Sequence, residues 1–207
     1  MAAPTSRVDR PGTDRFDARR AELADAALAT LGELGYARTS LREIAQKTAF
    51  SHGLLHYYFH DKTELLTFCV RRYKATCVTR YDEVIARAGT AADLAADFAD
   101  ALATTLEQDL AMHRLWYDLR SQSTFEASLR PTVIELDAQL EAMIWRVVER
   151  YAALSGSRPR VERFVAYATL DGLFENCLVR QAGGDVRAAG QLRTGARWLL
   201  GTLVAPD

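Results

Sequence analysis

Apolar residues return every three or four positions along most of the chain, the spacing of one face of an α-helix. The first stripe runs over about 17–34, with Leu23, Ala26, Ala27, Leu31 and Leu34 in line and Gly35 placed as a stop just past the end. Ser-Leu-Arg-Glu at 40–43 is a capping box: Ser40 receives the first free amides of a short helix ending near Thr48, and Glu43 reaches back. A second short helix is expected from Ser51 to about Phe59. Asp-Lys-Thr-Glu at 61–64 resembles another capping box and opens a long helix toward Ala88. Five more helices are expected over about 91–109, 111–127, 131–154, 159–181 and 185–204. Gly89, Pro131, Ser-Gly-Ser-Arg-Pro at 155–159 and Ala-Gly-Gly-Asp at 182–185 separate them. The expectation is an all-α protein of about nine helices with no strand.

Composition changes this picture little. With 207 residues, 49% of them hydrophobic, the chain can bury a proper core in one large domain or two small ones. The net charge of -1 is unevenly spread. Residues 1–72 carry 11 Lys+Arg against 9 Asp+Glu and three of the four histidines, residues 73–137 carry 6 against 11, and residues 138–207 carry 9 against 7. A slightly basic front and an acidic middle fit a small basic contact surface on a different body, not a nucleic-acid coat throughout. Cys69, Cys77 and Cys177 form no C-x-x-C pair, so neither a disulfide framework nor a cysteine zinc site is signalled. Residues 1–16 read as a polar, mobile tail without the apolar stretch of a signal peptide, and no run is long enough to span a membrane. A cytoplasmic protein without a cofactor is expected.

Two short helices about three residues apart, preceded by a longer one, are laid out as a helix-turn-helix. Ile44 and Ala45 face inward on the first; Leu55, with Phe59 or Tyr58 a turn later, anchors the second. At this point the residues carry a resemblance. The stretch Arg19 to Leu66 is similar to the N-terminal domain of the TetR family of bacterial transcription regulators. The likeness lies in a Gly-Tyr turn, Thr-Ser-x-Arg-x-Ile-Ala, a Ser-x-Gly start to the recognition helix and a Tyr-Phe-x-x-Lys exit. "LDGLFENCLVRQ" around Asp171 resembles the choline-responsive subgroup. The resemblance implies a DNA-binding domain at 17–66, a ligand-binding and dimerisation bundle at 67–207, and a palindromic double-stranded operator bound by a homodimer. It also implies a repressor released by a small molecule, and no enzyme.

Candidate DNA contacts follow residue by residue. The capped helix starts at Ser40 and Ser51 can meet phosphates or serve only as caps. Arg42 can pair with guanine or backbone, or be a solvated surface residue. Gly53 costs roughly 1 kcal/mol in a helix against Ala, which close approach to DNA would explain. His52 and His56 fall where the family reads bases, and an imidazole can donate or accept there. Leu54, in place of a smaller residue, favours a thymine methyl. Tyr57, Tyr58 and Lys62 can reach phosphates, with core packing as the alternative for Tyr58. Ala49 stands where the family's turn commonly has glycine and would be strained if that position needs positive φ. His52, His56 and His60 are also spaced by four, so a metal-responsive regulator using His52 and His56 is an alternative, although zinc wants a third ligand. A helical protein-binding adaptor is another.

The second domain is rich in aromatic residues. Trp116, Tyr117, Arg120 and Phe125 cluster in sequence, Trp145 follows on a later helix, and Phe164, Tyr167, Asp171 and Phe174 share a helical period. They are the candidate walls of a pocket for an apolar or cationic effector, with His113 beside them. Asp171 can equally be a structural core carboxylate with an arginine partner. In the last two helices Leu170, Leu173, Leu178, Leu192, Ala196, Leu199 and Leu203 are the expected dimer surface.

Overall fold

The computed structural model describes residues 11–206, with side chains from Asp14 onward. The chain divides into two compact units after Cys69. The first begins with α1 (Pro11–Leu34), which Gly35 terminates at φ 76°, its N–H returning to the Leu31 carbonyl at 2.8 Å. α2 (Leu41–Lys47) and α3 (His52–Tyr58) follow as a pair. Ser40 Oγ accepts from the Glu43 N–H and Ser51 Oγ from the Leu54 N–H, each at 3.2 Å, so both short helices start where the capping chemistry places them. α4 (Lys62–Cys77) opens with Asp61 Oδ1 accepting the Glu64 N–H, while Glu64 reaches back to the His60 N–H, one residue earlier than a capping box requires.

α1 starts six residues before the expected boundary at 17. Residues 1–10 of the expected tail lie outside the described residues, but 11–16 are helical. Pro11 suits a first helical position, where no N–H is needed. The apolar stripe could not show this extension, because Asp14, Arg15 and Phe16 are exposed, although the Phe16 ring lies 4.7 Å from Tyr58 and 6.3 Å from Tyr57.

In the second unit α5 (Asp82–Arg87) is separate from α4, so the long helix expected to reach Ala88 is two helices. Arg146 accounts for the break: its guanidinium donates to the Val78 carbonyl at 2.6 Å and pairs with Asp82 at 2.7 Å, satisfying a freed carbonyl from 64 or more residues away. α6 (Ala91–Gln108), α7 (Leu110–Ser123), α8 (Arg130–Ser155), α9 (Arg163–Ala182) and α10 (Ala188–Thr202) build the bundle, α10 packing on α6 and α9, and α8 on α9. Gly195 lets α9 and α10 close up; a Cβ there would meet Leu173 Cδ2 at 2.8 Å.

The expectation of no strand is corrected. After Gly156 turns the chain at φ 61°, β1 (Ser157–Pro159) pairs antiparallel with β2 (Val204–Pro206), Arg158 opposite Ala205. Strands of three residues are too short to display an alternating pattern. Among the described residues there are thus ten helices and one two-stranded ribbon.

A recognition helix and a walled cavity

α3 stands on two fully buried anchors, Leu55 and Phe59, with Ile44 buried beneath α2. Its opposite face carries His52, Gly53, His56 and Tyr57, all exposed. The His52 and His56 rings meet edge to face at 4.4 Å between centroids, and Tyr57 packs at 5.0 Å against the half-buried Tyr58. Apart from its chain neighbours and its own helix backbone, no protein atom lies within 4 Å of where a Gly53 Cβ would sit, so the room that glycine leaves opens outward. Leu54 is half-buried; Ser40, Arg42 and Ser51 are exposed. Ala49 carries no strain, since no non-glycine residue among those described has positive φ, and the turn is of a type that tolerates a side chain.

The exit from α3 is held by groups whose partners are far away in sequence. Arg20 lies over the Phe59 and Phe68 rings, 4.9 and 4.6 Å from their centroids, and pairs with Glu64. Lys62 donates to the Tyr36 carbonyl at 2.8 Å with its ammonium 3.9 Å from the Tyr36 ring centroid. Lys62 is therefore a brace between the turn after α1 and the start of α4 before it is anything else. His60 lies beyond the end of α3 beside Asp61. Among the described residues no group of three His, Cys, Asp or Glu side chains could hold a metal.

In the second unit a cavity of ≈ 600 Å³, open mouth included, is walled by α4, α6, α7, α8 and α9. Trp116, Tyr117, Tyr167, Asp171 and Phe174 line it as expected, and so does His113. Arg120 stands behind Asp171, pairing with its Oδ2 at 2.5 Å and facing Asp137 Oδ2 at 3.3 Å. Tyr117 donates to Asp171 Oδ1 at 2.8 Å and Tyr167 to Asp137 Oδ1 at 2.7 Å. Burial first, and then the Asp171 charge, push both phenols well above their usual range, so they remain donors. Asp171 thus lines the cavity and is also a paired structural carboxylate, which removes the free acid that had pointed to a cationic ligand.

Three expected wall residues lie elsewhere. Phe125 follows α7 and is 87% exposed, and Phe164 sits in the outward first turn of α9 at 66%. Trp145 is one position past the buried Ile144, about 100° further round α8, and does not line the cavity. The wall residues that periodicity missed include Lys74, Cys77 and Arg80, polar positions in a stretch that reads as a solvated face. Burial, aided by Arg80, brings the Lys74 ammonium down to about 8.

His113 is buried, its Nε2 3.1 Å from Thr105 Oγ1 and its ring 4.7 Å from Phe174. Burial, with the cations Lys74 and Arg80 behind it, lowers its pKa to about 3. The folded protein keeps it neutral, whereas the unfolded chain takes up a proton near 6.5, so stability is lost as pH falls from about 6.5 toward 3. Between pH 7 and pH 5 this amounts to about 2 kcal/mol. His113→Gln, which retains a donor for Thr105, should show that much less acid sensitivity in parallel thermal melts. Equal slopes in the two proteins would exclude the mechanism.

Two capped helices over a common core, the second displaying an exposed polar face, define a helix-turn-helix DNA-binding regulator. Residues 23–67 match the model for bacterial regulatory proteins of the tetR family. Over 177 residues the chain is 30% identical to the HTH-type transcriptional regulator BetI of Burkholderia thailandensis, covering 83% of this chain and 87% of that one. The chain belongs to the TetR family and is a DNA-binding transcriptional regulator. Its fold is shared with a regulator from Saccharomonospora viridis solved in complex with choline, at TM-score 0.72 and 14% identity, covering 92% of this chain and 100% of the other. FadR from Bacillus subtilis, solved with stearoyl-CoA, shares it at TM-score 0.67 and 17% identity, with 90% and 98% covered. No helix among the described residues is long and apolar enough to cross a membrane.

Proposed function

We propose that this regulator is a ligand-responsive repressor that binds a palindromic operator as a homodimer and leaves it when a small molecule enters the α4–α9 cavity. The observation that carries the DNA half is the outward face of α3. His52, Gly53 and His56 form an open strip over buried anchors, positioned to read base edges, while Tyr57, Tyr58, Arg42 and the capped helix starts at Ser40 and Ser51 engage phosphates. Leu54, half-buried beside that strip, supplies apolar contact.

One short helix reads few base pairs, and a two-fold pair reads two half-sites. Of the residues expected at the dimer surface, Leu170, Leu178, Leu192, Ala196, Leu199 and Leu203 are buried within the chain itself and Leu173 is half-buried. Phe164, Val165, Val179 and Trp198, exposed on α9 and α10, are the apolar residues those two helices offer a twin.

α4 carries Lys62 at one end and the cavity residues Lys74 and Cys77 at the other, so a ligand that prefers one position of α4 can bias the helix that follows the recognition helix. Choline and stearoyl-CoA in two neighbours of the same fold are chemically unlike, so the effector's chemistry has to come from this chain's own wall. The test is a mobility shift on DNA flanking the regulator's own coding sequence, at several salt concentrations. Retarded species that weaken as salt rises, and a two-fold symmetric footprint, are the expected outcome. Absence of any shift across that DNA would sink the proposal.

A further inference from the structure

The unpaired charge on the cavity wall is of one sign only. Lys74 is 3% exposed, its ammonium lies 4.6 Å from the Trp116 ring centroid, and no acceptor among the described residues is within hydrogen-bond reach of it. The indole N–H of Trp116 is buried and also without an acceptor. The carboxylates of this region are all paired. Asp171 receives Tyr117 and Arg120, Asp137 receives Tyr167 and faces Arg120, and Asp109 pairs with Arg80 at 2.9 Å. His113 Nε2 is occupied by Thr105. A ligand entering here meets an ammonium that lacks an acceptor, and no unpaired carboxylate. A cation would have to share an aromatic box with an ammonium already in it.

We propose that the effector is a small amphipathic carboxylate, anchored through its oxygens to the Lys74 ammonium where that group lies against the Trp116 ring. Its apolar body lies against Leu140, Met143, Ile144 and Phe174. This rests on the reading of the cavity as the effector site and names the class of molecule it takes. A buried unpaired lysine costs folding free energy, and a carboxylate ligand turns that cost into differential affinity.

Calorimetry on the full chain without DNA tests this with three probes of one skeleton: 3-phenylpropanoate, 3-phenylpropanamide and 3-phenylpropyltrimethylammonium. The carboxylate is expected to bind at least tenfold more tightly than the amide, and the cation not at all. Lys74→Met should weaken the carboxylate 30-fold or more, leave the amide within twofold, and melt no lower than the parent. Lys74→Gln, which keeps a donor without the charge, should fall between. Tight binding of the cation, carboxylate affinity indifferent to Lys74, or no binding of the carboxylate would each overturn the proposal. Lys74-dependent carboxylate binding that fails to release DNA would leave the site's chemistry standing and overturn instead its role as the effector site.

Discussion

Replacing His52 and His56 together by alanine is expected to lower operator affinity by roughly a thousandfold while the protein folds and self-associates as before. Both side chains are exposed and touch chiefly each other, so their removal leaves no cavity and no buried group unsatisfied. A base-edge contact is worth about 1 kcal/mol at the low end, and a dimer presents four such rings, for about 4 kcal/mol in all. Fluorescence anisotropy on a labelled operator reads the affinity, and a thermal melt reads the fold. The salt slope is an internal check: base-edge contacts set affinity for one sequence, whereas phosphate contacts set the dependence on salt. The double variant should keep the parent slope and bind operator no better than random DNA. An unchanged operator affinity would remove α3 from base recognition and return weight to a protein-binding role for this face.

The helix-turn-helix was legible because the signals that start, stop and anchor its helices are local. Ser40 and Ser51 cap within three residues, Gly35 stops α1 within four, and Leu55 and Phe59 repeat at the spacing of one turn. What escaped depends on partners distant in sequence. Arg146 ends α4 from another helix, and Phe16 gains its neighbours only once α3 is in place. The cavity was half legible for the same reason. Tyr167, Asp171 and Phe174 announce a mixed aromatic and acidic face through their period, and Tyr117 through its cluster with Trp116. Phe125 and Phe164 have the same chemistry but lie where the helix meets solvent, which a one-dimensional pattern cannot distinguish. Lys74, within Arg-Arg-Tyr-Lys-Ala-Thr-Cys, resembles the exposed arginines beside it, and only the closure of α7 over it makes it a buried charge.

Arg120→Met is expected to destabilise the protein by about 2–4 kcal/mol, because one guanidinium serves two carboxylates. Asp171 and Asp137, with side chains 14% and 28% exposed, would then share a site with only the Tyr117 and Tyr167 hydroxyls to serve them. Removing one partner of a buried ion pair costs about 3–5 kcal/mol, and the remaining water access of Asp137 brings the figure down. The melting temperature should fall by roughly 6–12 °C, taking about 3 °C per kcal/mol for a chain of this size. Asp137→Asn and Asp171→Asn added to Arg120→Met remove the repulsion and should recover much of the loss. A variant melting within a degree of the parent would mean that α7, α8 and α9 are held by their apolar contacts alone, and that the Asp171–Arg120–Asp137 bridge sets the polarity of the cavity wall without holding it together.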